Sequence, residues 1–298
     1  MLWGIDLGGT KIEGVVVDGA SHASALHRLR RDTGSANGYE HVVAQVVGIV
    51  RDLESASGWN PPDVIGIGTP GSMDPSTGLM KNCNSTCLNG RPLQADLSAA
   101  LGREVRIAND ANCFALAEAT WGAAAGAEVV IGLILGTGVG GGIVVVGKIL
   151  AGLHGIAGEW GHNPLRGESY PCYCGRAGCI ETVIAGPSLE RHYRESGGGA
   201  IRLPEIAARA AAGDARAAST ICRLQEKFGE AIAAVVNILD PDAIVIGGGV
   251  GNIADLYSEE TRGCIRRFLF NPVLATRILR PKLGDSAGVF GAAILGRD

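Results

Sequence analysis

One stretch of this sequence is written twice. GIDLGGTKIEGVVVDG (4–19) aligns without gaps with GLILGTGVGGGIVVVG (132–147); Gly4/Gly132, Leu7/Leu135, Gly8/Gly136, Gly14/Gly142, Val16/Val144, Val17/Val145 and Gly19/Gly147 are identical. Each copy reads as two β runs around a glycine-rich turn, 2–7 with 12–17 in the first, which is a hairpin pattern. Recurrence of a hairpin far along the chain points to a duplicated domain. The length of 298 residues leaves room for two domains at roughly 150 residues each.

The segments between the copies alternate in period. Residues 39–56 carry helical apolar spacing (Val42, Val43, Val46, Val47, Ile49, Val50, Leu53), whereas 64–68 and 105–108 are short strands, the second running into Asn109-Asp110 and a helix over 111–121. After the second hairpin come a Gly-, Cys- and Pro-rich stretch (154–186), a helical region (204–239), a strand (243–246) ending in Gly247-Gly248-Gly249, a helix (253–270) and a final small-residue helix (289–295). Strands alternating with helices predict an α/β class. The expected division is 1–121 for the first lobe, with the C-terminal segment 287–298 returning to it, and 122–286 for the second, with a hinge over 121–126.

Net charge is −4, with a sequence pI of 5.9. That argues against a nucleic-acid partner. Apolar runs stay well short of the ~18 residues of a membrane helix, and MLWGIDLGG lacks the basic start of a secretory signal. The expected setting is the cytoplasm, where the eight cysteines are thiols or metal ligands and not a disulfide scaffold.

Forty-six glycines concentrate at three places able to present backbone N–H groups to phosphate: 6–11, 136–142 and 247–249. The second fits G-x-G-x-x-G, but β-branched Ile143–Val146 follow where a dinucleotide fingerprint requires a helix. A P-loop motif is absent from the sequence. Asp6 of the first copy stands opposite Ile134 of the second, so the hairpin does not need an acid there. Asp6 is expected to face Mg²⁺ on phosphates, and Lys11, opposite Val139, is either a phosphate partner or a surface lysine. Asn109-Asp110 has two readings: a helix N-cap, or a general base at Asp110 kept ionised by the helix N-terminus. His162, Cys172, Cys174 and Cys179, spaced H-x9-C-x-C-x4-C, fit a tetrahedral structural Zn²⁺ site, with Gly175 and Gly178 allowing the chain to fold back. Cys83, Cys87, Cys113, Cys222 and Cys264 read as small apolar residues. Glu159 and Glu181 flank the cluster and suit sugar hydroxyls.

Together DLGGTK (6–11), GTPGSMDPSTG (68–78), NDANC (109–113), LGTGVGGG (135–142), GEWGH (158–162), CYCGRAGCIE (172–181) and GGGV (247–250) resemble the ROK family of sugar kinases and repressors, in family order along almost the whole chain. The resemblance implies an actin-like (ribonuclease H-like), duplicated two-lobe hexokinase-type fold. It implies transfer of the ATP γ-phosphoryl to a sugar hydroxyl, commonly the 6-OH, with Mg²⁺ and a structural Zn²⁺. Asp110 matches the catalytic base. Asn109, Glu159, His162 and Glu181 match sugar contacts, with Gly71 and Asn84 as further candidates. Nucleotide contacts match Asp6, Gly8, Gly9, Thr10, Lys11, Gly136, Thr137, Gly138, Gly248 and Gly249. KNCNSTCLNG (81–90) and GEWGHNPL are most similar to fructokinases that also accept mannose, although Cys87 stands where those carry Trp. Fructose is therefore the expected sugar, with N-acetylglucosamine kinase or glucokinase as the alternatives. A homodimer is the family default. A repressor is disfavoured because the first motif begins at Gly4, before any helix-turn-helix, and a non-catalytic sensor because Asp6 and Asp110 are both present.

Overall fold

A computed structural model describes residues 1–19 and 24–297. Asp298, the end of the expected returning segment, lies outside them. The chain divides into two compact units: Met1–Gly126 with Gly142–Ala157 and Lys282–Asp298, and Ala127–Gly141 with Gly158–Pro281.

The first sheet starts with β1 (Leu2–Leu7) and β2 (Lys11–Val17), an antiparallel hairpin in which Leu7 faces Ile12. Next come β3 (Ala25–Asp32), α1 (Tyr39–Ser57), β4 (Val64–Thr69), the small hairpin β5 (Ser72–Met73) and β6 (Met80–Lys81), α2 (Leu93–Leu101), β7 (Glu104–Asn109) and α3 (Asp110–Thr120). The sheet order is β3-β2-β1-β4-β7. In the second half follow β8 (Val129–Leu135), β9 (Val139–Val145), β10 (Lys148–Ile149), α4 (Glu181–Ile184), α5 (Gly186–Glu195), α6 (Leu203–Ala211), α7 (Ala215–Leu239), β11 (Ala243–Gly247), α8 (Gly248–Gly251), α9 (Glu259–Arg266), β12 (Arg277–Leu279) and α10 (Ala287–Leu295). The second sheet runs β10-β9-β8-β11-β12. Both sheets share one plan: an edge strand, the hairpin, then two parallel strands, β4 and β7 in one and β11 and β12 in the other. The duplication read from sequence is thus a duplication of topology.

Helix boundaries differ from expectation in two places. The helical region 204–239 breaks at Gly213 (φ 92°), and Asp214 caps the new helix by accepting from the Arg216 and Ala217 N–H groups. The helix expected over 253–270 shrinks to a 3-10 turn at Ala254–Tyr257 and the eight residues of α9, because Ser258 caps a fresh start through Thr261 N–H.

In the first unit, α10 lies on β1, β4 and α3. Its small face is met by glycine: a Cβ at Gly4 or Gly66 would run into the α10 backbone. A separate apolar core fills each half, one built on Trp3, Ile5, Ile49 and Leu53, the other on Leu133, Leu189, Phe228 and Ile246.

One acid among the described residues of the first unit is fully buried. Glu118 of α3, 0 % exposed, accepts from Ala123 N–H at 2.7 Å, Leu283 N–H at 2.8 Å and Lys282 N–H at 3.1 Å. It fixes the backbone where the first stretch of this unit ends and where the last one begins. Glu118→Ala strands three backbone donors and is expected to cost about 3 kcal/mol. Equilibrium urea unfolding measures it; a variant as stable as the parent would contradict the staple.

Candidate active site

In the first unit, Asp6 on β1 and Asp110 at the start of α3 are close enough for each charge to matter to the same groups. Burial first, then the charges of Asp110 and Glu13, push the Asp6 carboxyl up to about 6. A Cβ at Gly68 would lie 3.5 Å from Asp6 Oδ1, and one at Gly288 3.2 Å from Oδ2; two glycines thus make room for this carboxylate. Crowded acids at a common place favour a bound cation, so the residues present fit a Mg²⁺ arriving with phosphate.

The N-cap of α3 is Asn109 and not Asp110: Asn109 Oδ1 accepts from Asn112 N–H at 2.8 Å. Asp110 is the first helical residue, and its Oδ1 accepts from Ala111 N–H at 2.8 Å. The residue keeps an exposed face. Nevertheless the protein around it strips enough hydration to hold the carboxyl above its ordinary range, against the lowering influence of backbone N–H groups. Desolvation thus outweighs the helix N-terminus in the direction of the shift. A carboxylate raised toward neutrality is a better proton acceptor at pH 7 than an ordinary aspartate. Cys113, one turn on and fully buried, has its thiol pushed well up by that burial and by both acids, in keeping with a packing role.

The first glycine turn is held by its carbonyls. Gly8 N–H donates to Lys11 O at 2.9 Å, Thr33 Oγ1 donates to Gly8 O at 2.7 Å, Ser35 Oγ to Gly9 O at 3.3 Å, and Thr33 N–H to Thr10 O at 2.9 Å. Gly9, Thr10 and Lys11 remain exposed. Thr33 and Ser35 were not singled out in the sequence; the polar run DTGSANG around a left-handed Gly34 (φ 60°) is the signal that marks them. Gly71 (φ 117°) lies against Lys81 and Cys83, where a Cβ would come within 2.8 Å of the backbone of both. The loop carrying exposed Asn84 is clasped by Asn89, which accepts from Cys83 N–H at 2.9 Å and donates to Cys83 O at 3.2 Å.

In the second unit, two glycine turns adjoin at the ends of the parallel strands β8 and β11. Gly248 (φ 82°) packs on Leu135, where a Cβ would meet the Leu135 backbone. Gly136 N–H donates to Gly138 O at 2.9 Å, and Gly136 O accepts from Gly186 N–H at 2.8 Å. Glu181 Oε2 accepts from Val139 N–H at 3.0 Å, and a Cβ on Gly138 would sit 2.7 Å from it. One Glu181 oxygen therefore braces the turn holding Gly136, Thr137 and Gly138.

Glu159 immediately precedes the 3-10 turn Trp160–His162, whose last residue is His162. Trp160 anchors that turn in the core, its ring edge-on to Phe228 at 6.4 Å. His162, Cys172, Cys174 and Cys179 place one ligand atom each within 4.8 Å of one another. His162 Nδ1 is 3.6 Å from Cys172 Sγ, and the Cys174 and Cys179 sulfurs are 3.6 Å apart. Ordinary Zn–S and Zn–N bond lengths put tetrahedral ligand atoms about 3.5–3.8 Å apart, so this donor set fits zinc. All eight cysteines are free thiols. Gly178 (φ 71°) is required by the fold-back, since a Cβ there would strike Glu168 O. Among the described residues no helix is long and apolar enough to cross a membrane.

The model of the ROK family matches residues 2–298. The chain is 36 % identical over 305 residues to the N-acetyl-D-glucosamine kinase of Photobacterium profundum, covering 99 % of each. It is 37 % identical to that of Yersinia pseudotuberculosis, covering 99 % of this chain and 98 % of the relative. Among solved structures it is similar to a ROK hexokinase from Thermus thermophilus (35 % identity, TM-score 0.88, 99 % and 97 % covered). It is also similar to a ROK glucokinase from Streptomyces griseus in complex with glucose and AMPPNP (30 % identity, TM-score 0.76, 99 % of each covered). The fold is accordingly the α/β, duplicated, actin-like hexokinase type, and the chain belongs to the ROK family.

Proposed function

We propose that this protein is an ATP-dependent sugar kinase that phosphorylates the 6-hydroxyl of N-acetylglucosamine. The observation that carries the chemistry is Asp110, an exposed carboxylate with its proton affinity raised, at the first position of α3 and beside Asp6. Asp110 accepts the hydroxyl proton as that oxygen attacks the γ-phosphorus in line. Asp6 would face a Mg²⁺ bound with the phosphates, which would supply neutralisation of the developing charge. Backbone N–H groups of Gly9, Thr10, Thr137, Gly138, Gly248 and Gly249 hold the nucleotide on turns that Gly8 and Gly136 close with their own N–H groups, with Lys11 near the phosphates. Gly71, Asn84, Asn109, Glu159, His162 and Glu181 hold the sugar. Zinc on His162, Cys172, Cys174 and Cys179 is structural: it orders the turn that presents His162. The lobe division, a homodimer and a cytoplasmic location belong to the same proposal.

The choice of sugar departs from the fructose expected on KNCNSTCLNG. Relatives at 35–37 % identity along 99 % of the chain carry the name N-acetyl-D-glucosamine kinase, and Cys87 already breaks the fructokinase pattern in that loop. Glucose is the second reading, favoured by the likeness to the hexokinase and glucokinase structures. An ADP-release assay over N-acetylglucosamine, glucose, mannose and fructose decides. The expected kcat/KM is highest for N-acetylglucosamine, by about tenfold or more, since a missing polar partner in a built subsite is costly. Fructose as the best substrate would overturn the sugar assignment, and no phosphorylation of any of the four would overturn the kinase.

A further inference from the structure

Tyr173 sits between Cys172 and Cys174, two of the four proposed zinc ligands. Its side chain is 81 % exposed, yet it does not project freely. The hydroxyl lies 3.0 Å from His162 Nε2, and the rings meet edge-on at 5.1 Å. His162 Nδ1 faces the thiol cluster, so with a metal on Nδ1 the ring proton is on Nε2 and Nε2–H donates to the tyrosine oxygen. A hydroxyl that accepts from this N–H donor makes the hydrogen bond a sugar hydroxyl makes.

We propose that Tyr173 is a built-in occupant of the sugar subsite, its hydroxyl taking the His162 Nε2–H bond that a substrate hydroxyl must take over. This rests on the assignment of His162 as a sugar contact. The imidazole has a single N–H on that face, so phenol and sugar cannot both hold it. Tyr173 therefore raises the sugar concentration needed for half-saturation and leaves the chemical step alone, because it touches neither Asp110 nor phosphate in the proposed reaction. Removing the hydroxyl leaves the donor to water, which a sugar displaces more readily than a tethered phenol.

Tyr173→Phe keeps the ring and removes the hydroxyl. Calorimetric titration of N-acetylglucosamine and glucose into the full-length zinc-loaded protein is expected to show Kd lower by about 2–10-fold than in the parent. KM is expected to fall likewise, with kcat within about twofold and zinc content unchanged. Tyr173→Ala, which also frees Nε2, is expected to tighten binding in the same direction. Equal or weaker sugar binding by both variants at full zinc content would overturn the proposal while the parent still phosphorylates sugar. A parent that phosphorylates no hexose removes the kinase assignment instead, and this inference with it.

Discussion

Asp110→Asn is expected to lower kcat about 10²–10⁴-fold without weakening the fold. Stability and chemistry separate at this position because the capping bond of α3 comes from Asn109. Asp110 itself only accepts from Ala111 N–H, which an amide oxygen also does. The sign of the charge effect points the same way. The folded-state carboxyl is held above its ordinary value, so it contributes stability only while protonated, and that contribution is lost as pH rises through the raised value. At pH 7 an ionised Asp110 is a net cost to folding, and a neutral amide removes it. The variant should therefore unfold at the same urea concentration as the parent or a higher one, still bind sugar, and fail to transfer phosphate. Steady-state kinetics beside urea unfolding tests both halves. Activity within threefold of the parent would show that some other group takes the proton; a large loss of stability would show that Asp110 is structural.

That outcome turns on a term invisible in the sequence. Helix position is a local property and was readable: a strand running into Asn109-Asp110 announced the helix start. Desolvation is not local, since it sums everything packed near the carboxyl, and it sets the direction of the shift at Asp110. The same contrast runs through the fold. Both hairpins and the parallel strands β4 and β11 were legible because apolar residues fill them. By contrast, β3 is ALHRLRRD, alternately exposed; its strand character comes from pairing with β2 and from Arg28 and Arg30 meeting Glu13. Glu118 looked like an ordinary helical acid, yet its partners at 282 and 283 lie far along the chain. The clustering of His162, Cys172, Cys174 and Cys179 was legible because their chemistry is rare and their spacing compact. The sugar was not, since a subsite's preference rests on a few polar contacts that many related sequences share.

Removal of zinc is the other large effect. Cys172 to Cys179 is held by few backbone bonds, chiefly Cys172 N–H to Arg176 O at 2.8 Å and Gly175 N–H to Cys172 O at 3.1 Å. Three further bonds, Leu165 N–H to Gly178 O and Gly178 N–H to Tyr170 O, both at 2.8 Å, and Ile180 N–H to Asn163 O at 2.9 Å, tie its base. Cys174 is exposed, and Cys179 is buried with its thiol pushed up to about 12, first by burial and then by its sulfur neighbours. Without a metal the cluster is three crowded thiols and an imidazole; with one, the ligand bonds are worth on the order of 10 kcal/mol to an ordered site. The purified protein is expected to carry one zinc per chain. Stripping it with a strong chelator should raise hydrogen exchange across 162–181, lower the melting temperature and weaken sugar binding at least about tenfold. Readdition of Zn²⁺, and not of Mg²⁺, should restore all three, because thiolate and imidazole ligands select the softer ion. Cys174→Ser should reproduce the stripped protein without any chelator. A chain that contains no metal when isolated and keeps full sugar affinity in the chelator would leave the four residues as a packing cluster and remove the support that positions His162.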